Sequence, residues 1–342
     1  MIRAPRAMRF AWIGVATVLL FVMSPLIAPG SLDSGALAGM VPFAAALALI
    51  AVGQTLVLAQ GGIDLSVPAI VGLAAVVVTK FADGDDAKLP VAVVLTLVVA
   101  AAFGLVNGIA TTKLNITPFV VTLATNSAGL GVIYIVSNEF PTPAAPALTT
   151  FMSAQWIGVP TPAFVAVAVV AVAHVLLKGT TRGRVFLMVG ANRTAAATMG
   201  IRTDRYVVGA YVLAAVCYAV GAIILAGWVR TPTLFIGDQY LLPSIAATVL
   251  GGTAMTGGIA SVLSSSIGAV FLTQLSQVVL AAGASTAGQR LVEALVLAAG
   301  IAVQRLRLPR ALTPAGRTRR QEARDAVSER EPREELTNHV KL

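Results

Sequence analysis

Apolar residues run along most of this chain in long blocks separated by short polar joints. The blocks fall at 10–28, 38–59, 67–80, 91–109, 118–137, 161–177, 207–228, 241–256, 259–282 and 286–304. Crossing a bilayer as a helix takes about 20 apolar residues, so the pattern predicts an all-α, polytopic transmembrane bundle of ten spans. Blocks 67–80 and 241–256 are short enough to be half-helices, which puts the count between eight and eleven. Residues 10–304 form the predicted membrane domain, preceded by residues 1–9. Beyond them, residues 305–342 are charged, contain Pro and lack apolar periodicity, as expected of a disordered tail, with a short helix around Arg319–Glu329 as the alternative. The first block is longer than the h-region of a signal peptide and no A-x-A site follows it, so it reads as a membrane helix.

Several blocks are broken where a soluble helix would not be. Pro42, Gly53, Gly61, Gly62 and Pro68 interrupt the early part, and Pro243, Gly251, Gly252, Gly257 and Gly258 the late part. At membrane depth such breaks survive only where protein or a water-filled cavity satisfies the freed backbone. Both regions read as apolar run, Gly-Gly break, hydroxyl residues and second apolar run, a repetition of the kind transporters carry.

Charge adds orientation. Arg3, Arg6 and Arg9, the neighbourhood of Lys113, the segment 178–206 and the tail are basic, and the positive-inside rule places all of them in the cytoplasm. Ten spans then give an N-in, C-in protein of the bacterial inner (cytoplasmic) membrane. The loop Lys80–Leu89, with Asp83, Asp85 and Asp86, and the Pro-rich connection Asn138–Pro160 lie outside. Lys80 and Lys88 stand there against the rule.

Composition narrows the class. The chain is 57% hydrophobic and 11% charged, with a mean hydropathy of +0.86, against about 25% charged in soluble domains. Its net charge of +9 does not point to nucleic acid, because the Arg residues flank apolar spans rather than forming a basic face with aromatics. Cys217, the one cysteine, excludes an internal disulfide and reads as a small buried hydrophobe. His174 sits near a span end and reads as interfacial. No P-loop, G-x-S-x-G or H-E-x-x-H motif occurs, and two histidines with few embedded acids leave a proton relay little to run on. No catalytic residue and no metal site is predicted.

Asp64 is the foremost polar residue, in the sequence Ala-Gln-Gly-Gly-Ile-Asp-Leu-Ser-Val-Pro at 59–68. An acid at mid-membrane costs about 2.5–3.5 kcal/mol on insertion scales, so it belongs at a helix start, where a carboxylate accepts backbone N–H bonds, or in contact with a solute. With Gln54, Ser66, Asn107, Thr122, Asn126, Thr253, Gln274 and Gln277 it makes a candidate translocation pathway. Amides and hydroxyls suit a neutral polyol, because they exchange hydrogen bonds without trapping charge. The alternative for each is hydrogen bonding between helices. In segment 178–206 a short Ala-rich helix between Gly190 and Gly200 is predicted in a cytoplasmic loop, either docking into a groove on another protein or lying on the membrane surface.

Five collinear blocks between about residues 10 and 304 carry a resemblance. They are Gly53-Gln54-Thr55-Leu56-Val57 leading to Gly61-Gly62-Ile63-Asp64-Leu65-Ser66; Asn107-Gly108; Pro118 to Leu123; Gly190-Ala191-Asn192 with Gly200-Ile201; and Leu250-Gly251-Gly252-Thr253 with Gly257-Gly258. In these the chain resembles the ribose/xylose-type permeases of bacterial ABC sugar importers. The resemblance implies a permease that dimerises with itself or a paralogue and takes a monosaccharide or sugar-like polyol from a periplasmic or lipid-anchored binding protein. Separate ATPase subunits would drive it, so that ATP and Mg²⁺ are held by a partner and no cofactor by this chain. The coupling loop to that ATPase would be Gly190, Asn192, Ala195, Ala196 and Gly200. Membrane lipid surrounds such a protein, and nucleic acid is not a partner. The sequence departs from the family pattern at Pro68 (usually Gly), at Ala191 (the second Gly of Gly-Gly-Asn), at 241–245 (no acid) and near Ser276-Gln277 (no Asn-Gly). Competing readings are a permease for a nucleoside, a furanosyl signal molecule or a branched-chain amino acid, and an ion-coupled secondary transporter.

Overall fold

The computed structural model describes residues 6–307. The expected tail from 308 onward, with its alternative helix at Arg319–Glu329, lies outside the described residues. Among the described residues thirteen α-helices follow in order: α1 Arg6–Ile27, α2 Ser34–Ala59, α3 Val67–Ala82, α4 Leu89–Lys113, α5 Pro118–Ser137, α6 Pro146–Ser153, α7 Thr161–His174, α8 Thr181–Ala191, α9 Arg193–Thr198, α10 Thr203–Val229, α11 Leu241–Leu250, α12 Val262–Ala281 and α13 Thr286–Arg307. Residues 1–300 form one compact unit; of the second unit, 301–342, only the end of α13 is described.

Among the described residues six helices are long and apolar enough to cross a membrane: α2, α4, α5, α10, α12, and α7 with the π-turn Val175–Gly179 that extends it. The apolar part of α1, Ala11–Ile27, and α3 are shorter. The block expected at 241–256 is a ten-residue helix followed by a break from Gly251 to Ser261. Among the described residues the only strand pairing is Gln155–Trp156 with Val159–Pro160. It closes over Ile157 and Gly158, both at positive φ, a tight two-residue hairpin turn.

Helices α2 and α10 are apolar on every side, which is the mark of a helix enclosed by others. From Ala44 to Ala59 every residue of α2 is buried, and α10 is buried throughout Gly221–Gly227. Glycines allow the close approach: a Cβ on Gly53 would strike the Tyr218 ring, and one on Gly104 or Gly108 of α4 would strike the backbone of α10 at Tyr211 or Val208. The pair Gly104/Gly108 is a G-x-x-x-G spacing, which brings helix backbones together. Around this centre α4, α5 and α7 turn large apolar residues outward, among them Val94, Val98, Phe119 and Val167. Lipid tails are the medium for that belt.

Polar contacts collect at two opposite ends. At one, Asp86 accepts from the Ala147 N–H (2.7 Å), joining the 83–88 loop to α6. At the other, Asp204 bridges Lys113 and Arg193, each at 2.7 Å. The 25 residues of α4 span about 37 Å between them at 1.5 Å per residue. Lys113 and the segment 178–206 therefore share an end, as their charge predicts.

Candidate functional site

The first break forms because Gly61, at φ +77°, turns the chain out of α2 while Gly61 and Gly62 N–H still reach back to Leu58 and Val57 (2.9 and 3.2 Å). After it, Asp64 folds over the backbone. Its Oδ1 accepts from the Ser66 N–H (2.9 Å) and from the Ser66 hydroxyl, an Asx-turn two residues wide that aims the chain into α3. Ser66 Oγ in turn accepts from Asn107 Nδ2 (2.9 Å) on α4. Gln54 Nε2 reaches the Asp64 carbonyl (3.4 Å), and its Oε1 accepts from Tyr218 OH (2.9 Å). Thr122 lies beside this network, with Oγ1 at 3.4 Å from the Ile63 carbonyl, and Asn126 Oδ1 accepts the Ala69 N–H (3.1 Å) in the first turn of α3. Six predicted residues are thus brought to one place. It is closed to solvent: Asp64 is 1% exposed, and Gln54, Ser66 and Asn107 are fully buried.

The second break runs between α11 and α12. Thr253 N–H closes on Thr248 O (3.2 Å), and Ser261 caps α12 by accepting from the Ser264 N–H (3.3 Å). It does not stand alone. Gly258 N–H donates to the Ala59 carbonyl (2.9 Å) at the end of α2, so the two breaks are bonded backbone to backbone. Helix α8 is wedged against both. A Cβ on Gly190 would overlap the Ala59 oxygen and crowd Gly258 N, a Cβ on Gly257 would overlap the Gly190 oxygen, and Gln60 Nε2 donates to Phe186 O (2.8 Å). Asn192 then ends α8 and caps α9 by accepting the Ala195 N–H (2.9 Å). The short Ala-containing helix expected between Gly190 and Gly200 is α9; Ala196 is its buried residue and Ala195 is exposed.

The remaining predicted residues lie apart. Gln274 Nε2 donates to Ser24 Oγ (2.9 Å) of α1, and Gln277 Nε2 to Ser31 O (3.0 Å). Gln277 is on the wall of a cavity of about 790 Å³ between the 29–47 stretch, the start of α11, the far half of α12 and the start of α13. None of the other eight pathway candidates lines it.

The model of the family described as branched-chain amino acid transport system / permease component matches residues 36–301. The chain belongs to that family. It is 33% identical over 291 residues to the galactofuranose transporter permease protein YtfT of Escherichia coli K12, covering 82% of this chain and 85% of the relative. It is 31% identical to the ribose import permease protein RbsC of Bacillus subtilis, over 81% and 87% of the two chains. It is 32% identical to the autoinducer 2 import system permease protein LsrC of Photorhabdus luminescens, over 67% and 70%. No solved structure matches.

For this multi-pass permease the sequence reading missed two groups. Tyr218 completes the Asp64 network through Gln54, and Tyr211, seven residues before it on α10, sets its hydroxyl 2.7 Å from where a Cβ on Gly62 would stand. Two tyrosines two turns apart on one face of a predicted span were the available signal. In the cleft, Glu293 Oε1 accepts from Ser276 Oγ (2.7 Å) and Gln289 Nε2 (2.9 Å), with Arg290 at 3.6 Å, and Gln239 is on the same wall. An acid and an arginine inside the 286–304 block were the signal there.

Proposed function

We propose that the chain is the membrane-spanning subunit of an ATP-driven importer for a monosaccharide or sugar-like polyol, working by alternating access with ATP hydrolysis on a separate ATPase. The observation that carries this reading is the interlock of both helix breaks with α8, from whose end the Asn192-capped α9 projects. A partner moving α9 bears directly on both broken hairpins. Ten passes with both termini inside fit the grouping of Lys113, Arg193 and Asp204 at one end, and the cleft of Gln277, Ser276 and Glu293 then opens outside, where a binding protein delivers solute. The solutes for which the relatives are named, galactofuranose, ribose and autoinducer 2, are small and polyhydroxylated, of the kind such a lining suits. Pairing with a second permease completes the pathway.

The test is uptake of labelled ribose, galactofuranose or leucine into proteoliposomes holding this chain, its ATPase and its binding protein. ATP-dependent sugar uptake, lost in Ala195→Trp with the ATPase still folded, is the expected result. Ion-driven uptake by this chain alone would overturn it. Amino-acid uptake is the second reading, favoured by one observation: the cleft holds both Arg290 and Glu293, a pair of charges that a zwitterion can engage.

A further inference from the structure

A second cavity, about 520 Å³, lies between α2, α7 and α12, on the other side of Met40 from the cleft. Ala44, Ala48, Ala166 and Val170 form its buried floor, and Val167 and Val175 rise beside it at 68% and 59% exposure. It follows α7 from Ala163 to Val175, about 18 Å at 1.5 Å per residue, more than half of a ~30 Å hydrocarbon core. Only two polar side chains touch it. Ser266 is satisfied, its Oγ donating to Val262 O (3.0 Å). The other is His174, whose buried Nδ1 has no hydrogen-bond partner.

At the His174 end the chain becomes basic. The π-turn Val175–Gly179 carries Lys178. Such turns recur at functional sites in helices. Gly183 then packs so closely on the Leu176 and Leu177 carbonyls that any side chain there would overlap them. This fixes the first turn of α8 against the end of α7 and sets the exposed Arg182 and Arg184 on either side of Gly183. Residues 34–63, 161–203 and 262–281, which include every wall of the groove, contain no Asp or Glu. An apolar trough opening sideways among lipid-facing valines and ending in cations has the form of a lipid site, since basic pockets at helix ends bind anionic head groups.

We infer that this groove binds an anionic phospholipid, an acyl chain lying along α7 from Val175 toward Ala163 and the phosphate held at His174, Arg182 and Arg184. Native mass spectrometry of the purified full chain, with phosphatidylglycerol or phosphatidylcholine of identical chains added, tests it. Wild type is expected to retain phosphatidylglycerol preferentially. Removing two charges by R182Q with R184Q should weaken that binding about 30-fold, from ~1 kcal/mol per basic residue near the head group and 1.4 kcal/mol per tenfold, while leaving phosphatidylcholine binding unchanged. Ala166→Phe fills the floor and should abolish both adducts; should it not fold, Val175→Trp, at an exposed site, closes the mouth instead. Equal retention of the two lipids by wild type, or adducts unchanged in a folded filling variant, overturns the inference. So does efficient cross-linking of Val167→Cys between two chains, which would make the groove a contact between copies.

Discussion

Gly190→Ala tests the junction on which the proposed coupling depends. The added Cβ would overlap the Ala59 carbonyl oxygen and stand 3.1 Å from Gly258 N, the acceptor and donor of the 2.9 Å bond that joins the breaks. Neither neighbour is the tip of a flexible side chain, so α8 must retreat from both. Overpacking of this sort costs about 1–3 kcal/mol, and the weakened buried hydrogen bond adds roughly 0.5–1.5 kcal/mol, giving a loss of about 1.5–4.5 kcal/mol. Two glycines calibrate it. Gly209 on α10 has ordinary φ and nothing within 4 Å of the place a Cβ would take, so Gly209→Ala should not destabilise and should gain up to about 1 kcal/mol of helix propensity. Gly200, at φ +77° in open space, should lose only the ~1–2 kcal/mol of a left-handed alanine. Thermal unfolding of the detergent-purified proteins orders the three, and ATPase stimulation by the reconstituted complex reads the coupling. If Gly190→Ala unfolds together with Gly209→Ala and stimulates the ATPase like wild type, the junction does not pack or act as described.

Asp64→Ala should cost about 1–3 kcal/mol by leaving the buried Ser66 N–H without its acceptor, whereas Asp64→Asn keeps Oδ1 and the fold; equal melting temperatures for the two would show that the carboxylate does not hold the break. Asn192→Ala removes the cap of α9 and should cost about 1 kcal/mol, seen as lowered ATPase stimulation that Asn192→Asp restores. Asp204→Asn should change stability by no more than about 1 kcal/mol, less in high salt, because both its bridges are exposed; chemical unfolding at two salt concentrations measures it. Glu293→Gln should alter the apparent uptake affinity for solute without changing basal ATPase activity, since the side chain borders the cleft and touches neither break.

The breaks and the short helix α9 were legible because backbone chemistry leaves marks in sequence: paired glycines inside apolar runs, Gly61-Gly62 and Gly251-Gly252, allow the chain to turn, and Gly61 and Gly252 do so at positive φ. The role of Asp64 was legible only to the level of two alternatives, a helix-shaping acid or a solute contact; in this structure the carboxylate is 1% exposed and bonded to Ser66 at the break. What escaped was convergence. Gln54, Ser66 and Asn107 read like Gln274 and Gln277, yet the first three meet in a closed network and Gln277 faces a cleft, a difference set by which helix faces pack together. Tyr211 and Tyr218 escaped for the same reason: their two-turn spacing marks one face of α10 but not what meets it, which is set where Gly53 and Gly104 bring the helices into contact.

Neither break can satisfy its backbone by itself. The Ala59 carbonyl, at the end of α2, accepts from Gly258 across the molecule, and a buried carbonyl separated from its donor costs about 1–3 kcal/mol. Moving one hairpin without the other therefore carries a penalty that moving them together avoids. The glycines at 190, 257 and 258 keep α8 in contact with both, and Lys113 and Arg193 hold the far side of the loop to Asp204 through exposed bridges that yield easily. A partner acting on α9 thus meets a stiff connection inward to the two breaks and a soft one outward to the loop. Under the proposed function, such an arrangement would let a partner at α9 move both breaks together.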